Sequence, residues 1–591
     1  MRSPDLCRAA SVALALALTE PAVAHAATHK FALSMMHFNV QYVAGGLQGF
    51  FSTPDPAIDL DAEQVEDSII RQSFEPVLDL FLAHPTWGAN MEMQGYMLDV
   101  MAARHPDVLD KLRTLAKAGR IEVVSFHYSD QIFLAYPRED WERSVTLDQA
   151  TFAKHDVPLG KAVFCQEGQA GIGMASAMAA HGYETLVFPK NLAAYQHGDA
   201  MPLPLYRWGD VNMMSSSGFD WSSGGEDISV AFWFVDDGEL LATGDIDPYI
   251  AEKFKKNPAA IAKREQELMD REANGFQIAT VSAYVTAAKA LVTPAEPPPL
   301  LDGTWQPNST DGISRWLGGF GLWWVDERDN DVRSLGAMAH RELMAAETIA
   351  ESSGIEAREE LDGAWRLLAL GQVTDATGIN PFRGEVEYGI AHFTEVLRVA
   401  RDVIDRGKEQ AGARVRIDTG AGTVDPIDGA PAAPASIAPP FAVEVTSGDR
   451  THEEIWSSLE EGHYVLSVNF GAGDDRSESV LFPGDAGDLV YTPGLLDAPV
   501  HVPRDAFVFD HFELALSDGL IGLASDRYVI KDQARVHVAA RILPASGDVL
   551  FHDDTAPAGE SSTWVFHVVM GTEKKATEVA RRVNVTPELV R

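Results

Sequence analysis

Between Lys30 and about Val292, short apolar runs alternate with amphipathic stretches along the chain. The runs "KFALSMMHFNV", "GANMEM", "RIEVVSFHY", "KAVFCQE", "ETLVFPK", "ISVAFWFV" and "FQIATVS" read as strands. Between them, "QVEDSIIRQSFEPVLDLFLAH" and "YMLDVMAARHPDVLDKLRTLAKAG" repeat apolar residues three and four apart, the spacing that gives a helix one buried face. Strand–helix alternation of this kind predicts a parallel α/β architecture, and the number of runs suggests a seven- or eight-stranded barrel of (β/α)7 type.

The pattern changes after "TPAEPPPL", whose prolines admit neither helix nor central strand. Long helical stretches follow: "DVRSLGAMAHRELMAAETIAESSG", "AREELDGAWRLLALGQ" and "GEVEYGIAHFTEVLRVARDVIDRGKEQ". A Pro- and Ala-rich segment, "DPIDGAPAAPASIAPPF", then reads as a linker. From Phe441 onward, short alternating runs such as "HYVLSVNF", "AFVFDHFELALS", "DRYVIKD", "ARVHVAARI" and "STWVFHVVM" predict a β-sandwich. The expected organisation is an α/β barrel over 27–305, a helical domain over 306–412, a linker over 413–440 and a C-terminal β-sandwich over 441–591. Residues 1–26 read as a signal peptide, with Arg2 and Arg8 ahead of "SVALALAL" and the small-residue site Ala24-His25-Ala26. The apolar run is about 10 residues, half of the roughly 20 that span a bilayer, so an exported protein without membrane insertion is expected.

Charge narrows the partners. A formal net charge of -40 opposes binding to nucleic acid or anionic lipid, both of which require clustered Lys and Arg. A neutral substrate fits better. Two cysteines, one of them Cys7 within the expected signal, leave Cys165 without an intramolecular disulfide partner.

In parallel α/β barrels the chemistry sits where strands end, so polar residues directly after apolar runs are the candidates. "MMHFNVQY" places His37 and Asn39 on one face of a strand end, and "NMEMQG" and "SFHYSD" bring Glu92, His127 and Tyr128 to two others. Glu167 closes "KAVFCQE", where it either acts chemically or caps the small-residue helix that follows. "VAFWFVDDGEL" crowds Asp236, Asp237 and Glu239 after a strongly apolar strand; the crowding either raises a carboxyl pKa or marks an acidic turn. Two strand ends delivering carboxylates to one mouth are what glycoside hydrolysis needs. In the helical part, Trp305 and Trp316 are candidates for stacking on a sugar, and Asp375 in "TDATG" is a candidate for binding its hydroxyls.

The order of these motifs resembles glycoside hydrolase family 57 and, more loosely, the family 38 mannosidases and the polysaccharide deacetylase-like barrels. The stretch from "NMEMQG" to "HYSDQIFLAYP" is similar to the second block of family 57, "FCQEGQAG" to its third and "VDDGELL" to its fourth. The resemblance implies a retaining glycosidase or transglycosylase for α-linked sugars, with Glu167 as nucleophile and Asp237 as acid/base. It departs from the family in the first block, where Asn39 stands at the second histidine, and before Glu167, where Cys165 and Gln166 replace Trp and Pro. No cofactor and no metal are expected, because "HFN" pairs its histidine with an amide instead of a carboxylate. Two other readings stay open. A metal-dependent hydrolase of the family 38 or deacetylase kind would use His37 and Asp236 as ligands, and a non-catalytic polysaccharide-binding protein would keep only the mouth.

Overall fold

The computed structural model describes residues 27–47; 60–298 except 134–135, 165–168, 172, 191–192, 194–200, 202, 236–237 and 243–255; 329–376; 383–427; and, with further breaks, 435–591. The signal, Glu167, Asp236, Asp237, Trp305 and Trp316 lie outside the described residues.

All seven apolar runs of the first part form strands. They are β1 (Ala27–Phe38), β2 (Ala89–Met93), β3 (Ile121–Val124), β4 (Ala162–Val163) and β5 (Thr185–Phe188), then, after three further strands, β9 (Glu226–Val235) and β10 (Gln277–Ala279). The three that the apolar pattern hides are β6 (Tyr206–Trp208), β7 (Val211–Ser215) and β8 (Phe219–Ser223). Their sequence, "YRWGDVNMMSSSGFDWSS", mixes polar and apolar residues because β6 and β8 pair antiparallel, as in hairpins that leave one face to solvent.

A closed ring is not what these strands form among the described residues, and the barrel expectation is corrected to two sheets. One has the order β3-β2-β1-β9-β8, with β10 also on β1; the other runs β4-β5-β7-β6. Two features keep the ladders apart. The outer edge of β9 is taken by antiparallel β8, and β4 pairs with β5 through two residues only. The sheets approach at β3 and β4, where Val123 and Leu159 form an isolated parallel bridge and Gly160 N–H donates to Val123 O at 2.7 Å. Helices cover the outer faces: Leu109, Leu112 and Leu115 of helix Pro106–Lys117 are buried one helical turn apart, and Pro106 opens that helix, where its missing N–H costs nothing.

The helical expectation holds over Asp329–Ser353, Arg358–Gly371 and Arg383–Ala411, which pack on one another through Leu343, Ala346, Leu368, Phe393 and Val396. Gly371 lets this packing close, since a Cβ there would lie 2.8 Å from the Phe393 ring. The linker expectation changes over its first half: Arg414–Asp418 and Thr423–Ile427 form a β-hairpin joined by Glu588–Val590. Alternating "RVRID", with Val415 and Ile417 fully buried, supplies the inward face that a linker would lack.

The C-terminal part is sheet on sheet. His452–Glu460, His463–Phe470, Ser562–Met570 and Ile521–Ser525 form a four-stranded antiparallel sheet, and Glu444–Thr446, Glu478–Phe482, Val549–Asp553, Ala539–Ile542 and Val508–Phe509 a five-stranded one. Trp456, Phe470, Phe482, Trp564 and Phe566 fill the core of this part. That core is continuous with the apolar side chains around β4, β5 and β7, including Trp141, Phe188 and Met213, so the sandwich is packed onto the α/β part.

Candidate active site at the strand ends

The site begins with register. β1 and β2 are parallel neighbours with His37 opposite Glu92, and β1 also pairs with β9 so that Met36 faces Val235. The chain leaving β9 therefore returns beside His37. Gly238 is required there: a Cβ on it would sit 1.8 Å from the His37 carbonyl oxygen. It opens a 3₁₀ turn, Gly238–Leu240, that carries Glu239 into the cluster. The turn is fixed from behind by Ser73, which lies in the π-helical segment Ile69–Phe74. Its hydroxyl donates to Gly238 O at 2.8 Å and accepts from Ala242 N at 3.1 Å.

Around these strand ends the structure gathers six of the residues singled out in the sequence, His37, Asn39, Glu92, His127, Glu239 and Asp375, together with Asp130. All but Asp375 are at least 97% buried. His37 Nδ1 is hydrogen bonded to Glu92, while its Nε2 lies 3.6 Å from Asp130 Oδ2 and 4.0 Å from Glu239 Oε1. The backbone N–H of Asn39 donates to Glu239. Asn39 Oδ1 accepts from Gln41 N at 2.7 Å, which fixes the flip of the amide and turns its NH2 outward. That NH2 donates to Asp130 Oδ2 at 3.0 Å and to Asp375 Oδ2 at 2.9 Å. One neutral amide thus joins a carboxyl from the α/β part to one from the helical domain.

Asp375 arrives through a short antiparallel clamp. Thr374 N donates to Asp130 O at 2.8 Å and Ile132 N to Gln372 O at 3.1 Å, next to the isolated bridge between Gln131 and Val373. Tyr128, expected to bind substrate, is directed elsewhere: its hydroxyl donates to Asp99 Oδ2 at 3.0 Å and its ring packs with Tyr96 and Leu370. Asp130 is the residue sequence reasoning missed. It stands six residues past the end of β3, at the close of the same "SFHYSD" that supplied His127 and Tyr128.

Electrostatics follow from burial and crowding. Desolvation opposes a charge on His37, but Glu92, Asp130 and Glu239 together raise its pKa well above the ordinary histidine value. Burial, reinforced by Glu92 and Asp375 against the opposing pull of His37, raises the Asp130 pKa well above the carboxylate range. Burial lowers His127 to about 4, so it is neutral at neutral pH. The cluster therefore sets a cationic imidazole and a neutral imidazole beside a carboxyl of raised proton affinity.

Several atoms here lack a hydrogen-bond partner among the described residues: Glu92 Oε1, Asp130 Oδ1, both ring nitrogens of His127 and both amide atoms of Gln94. Unpaired buried polar atoms are costly, about 1–3 kcal/mol each, and several together at the C-terminal ends of parallel strands mark a place that a polar ligand or water completes. Asn39 presents an amide NH2 to both carboxyls, an arrangement that suits hydrogen bonding rather than coordination of a cation at that point, and Asp236, the second ligand of the metal-dependent reading, lies outside the described residues.

Comparison with known proteins bears out the family resemblance read from the sequence. Residues 18–167 match the model of glycosyl hydrolase family 57. Over 70 residues the chain is 31% identical to an α-amylase 1 of Dictyoglomus thermophilum, a stretch that is 12% of this chain and 10% of that protein. Over 76 residues it is 29% identical to a 4-α-glucanotransferase of Thermococcus litoralis, covering 13% and 12% of the two. These matches span only a small part of the relatives' lengths. Among solved structures, an α-mannosidase from Enterococcus faecalis V583 aligns with a TM-score of 0.55 at 10% identity, covering 95% of this chain and 90% of that one, a likeness of fold.

Proposed function

Starting from the family 57 match of residues 18–167, we propose that the protein is a glycoside hydrolase or transglycosylase acting on α-linked glucans by a retaining, two-carboxylate mechanism. Glu167 attacks the anomeric carbon, and Asp237 protonates the departing glycosidic oxygen and then deprotonates the water or sugar hydroxyl that resolves the covalent intermediate. The observation that carries the reading is the set of unpaired, buried polar atoms at the strand ends, on Glu92, Gln94, His127 and Asp130. Both proposed catalytic carboxylates belong to chain segments that leave strands of the same α/β part, β4 and β9. In this reading His37, Asn39, Glu92, His127, Asp130, Glu239 and Asp375 bind and orient sugar hydroxyls, and Trp305 or Trp316 stacks on a ring face. Residues 1–26 direct export.

The test uses the chain lacking residues 1–26, its Glu167→Gln and Asp237→Asn variants, and a panel of α-linked oligosaccharides with and without chelator. Products are followed by mass spectrometry and their anomeric configuration by proton NMR. The expected result is retained configuration, a loss of about 10²- to 10⁴-fold in kcat in Asp237→Asn, and indifference to chelator. Turnover that survives Glu167→Gln would sink the assignment, and chelator sensitivity would favour a metal-dependent hydrolase.

A further inference from the structure

The loops that carry Asp130 and Asp375 belong to a buried hydrogen-bond chain that begins in the middle of a helix. His340, on helix Asp329–Ser353, is 0% exposed. Its Nδ1 lies 2.5 Å from Asp140 Oδ1 and its Nε2 2.8 Å from the carbonyl oxygen of Val585. A carbonyl oxygen and a carboxylate can only accept, so both ring nitrogens carry hydrogen and the ring is an imidazolium. Burial opposes that charge, while Asp140 and, more distantly, Glu139 favour it, and the net effect raises the His340 pKa. The edge of Trp365 closes the remaining side, 6.3 Å between ring centres.

From Asp140 the chain has a fixed direction. Its second oxygen accepts from Gln372 Nε2 at 2.6 Å, which leaves Gln372 Oε1 to accept from Gln131 Nε2, also at 2.6 Å. Gln131 in turn offers its backbone carbonyl to Gln169 Nε2 at 3.1 Å. Asp140, Gln131, Gln169 and Gln372 are all 2% exposed or less. A carboxylate at the head of the chain can only accept, so it sets the flip of the first amide, and that amide sets the next. The three glutamines sit beside the site residues in sequence: Gln131 follows Asp130, Gln372 lies shortly before Asp375, and Gln169 follows Glu167 by two positions.

We infer that the His340–Asp140 pair is a positioning device for the strand-end site, locking through Gln372 and Gln131 the two segments that carry Asp130 and Asp375 and holding Gln169 against them. The inference rests on the proposed function only for the kinetic readout; the chain itself stands on the geometry. His340 touches no reacting atom and acts through others. It draws the helix Arg138–Lys154, the helical domain and the segment at Val585 onto one ion pair, so the mouth keeps its shape only while those three parts stay docked.

The experiment compares the full chain with His340→Gln, Gln372→Met and, as a control, Arg143→Ala. Arg143 Nη2 bonds Glu347 Oε2 at 2.6 Å and its guanidinium lies 4.8 Å from the centre of the Trp365 ring, so it joins the same two helices and touches Trp365 beside His340 but makes no hydrogen bond to the chain itself. Hydrogen–deuterium exchange is read on peptides spanning 163–175 and 127–133, and kcat and KM are read on the α-glucan that the wild type turns over. Both chain variants should speed exchange in those two regions at least about tenfold while leaving β1 and β2 unchanged. They should also lower kcat about 10- to 100-fold with little change in KM, the signature of misplaced reacting groups. Arg143→Ala should do neither. Equal acceleration in Arg143→Ala, or in all strands alike, would show general loosening and overturn the inference. Unchanged exchange in Gln372→Met would also overturn it. If the wild type turns over no α-glucan, the proposed function fails while the exchange measurement still decides the positioning role.

Discussion

Asn39→Asp tests the centre of the site with a change of one atom's chemistry. The amide NH2 of Asn39 lies 3.0 Å from Asp130 Oδ2 and 2.9 Å from Asp375 Oδ2 and donates to both. A carboxylate there would place like charge against like. At an effective dielectric constant of about 20, two unit charges 3 Å apart repel by about 5–6 kcal/mol. Taking up a proton limits that cost: holding a carboxyl of ordinary pKa near 3.9 protonated costs about 5.6 kcal/mol at pH 8 but only about 0.8 at pH 4.5. The protonated acid donates one hydrogen where the amide donates two, which adds about 1–2 kcal/mol at either pH. The sign follows from linkage. The new carboxyl has a folded pKa above its unfolded value, so the variant binds more protons folded than unfolded, and stability falls as pH rises from about 4 through the folded pKa. Urea unfolding in the presence of chelator should therefore show a deficit of about 2 kcal/mol at pH 4.5 and about 6 at pH 8. A variant as stable as wild type at pH 8 would refute the account of Asn39 as the donor joining two carboxyls. Recovery of stability only when a divalent cation replaces the chelator would show that the amide stands where a cation could.

Three other outcomes follow from the same geometry. In imidazole NMR titrations His37 should remain protonated at neutral pH, while His127 should titrate near 4; a His37 that loses its proton near the ordinary value would contradict its enclosure by Glu92, Asp130 and Glu239. Gly238→Ala should abolish turnover and weaken oligosaccharide binding, because the methyl group would sit 1.8 Å from the His37 carbonyl oxygen and the turn carrying Glu239 must move; wild-type kinetics in that variant would show that Glu239 plays no part. Gly407→Ala, late in the helix Arg383–Ala411, should cost about 1–3 kcal/mol in thermal or urea unfolding, because a Cβ there would lie 2.4 Å from Ile349 Cδ1, and leave KM within about twofold.

The sequence by itself determined every element whose burial is written into its own periodicity. The seven apolar runs of the α/β part, the three long helices and strands such as His463–Phe470 and Ser562–Met570 all lie where the alternation of apolar and polar residues placed them. Residue type at strand ends also marked His37, Asn39, Glu92, His127 and Glu239, since a polar side chain directly after a buried strand has few places to go except the mouth. What periodicity does not encode was decided by tertiary structure. β6 and β8 were hidden because their partly exposed antiparallel strands mix polarity, and β7, buried throughout, because Asn212 and Ser215 interrupt its apolar run; among the described residues the outer edge of β9 is taken by β8.

The same limit explains Tyr128 and Asp130, two residues apart in one loop. Sequence favoured the tyrosine, but Asp99 on a neighbouring helix captures its hydroxyl, while Asn39, itself held by Gln41, draws Asp130 into the cluster. Which member of a polar loop turns inward depends on partners supplied by other elements, and those are non-local. The same holds for the chain from His340 to Gln169, which spans residues 131 to 585 and leaves no local pattern. Local periodicity fixes what a segment buries; only the assembled fold fixes which polar atoms find one another, because hydrogen bonds are directional and their partners lie far apart in the chain.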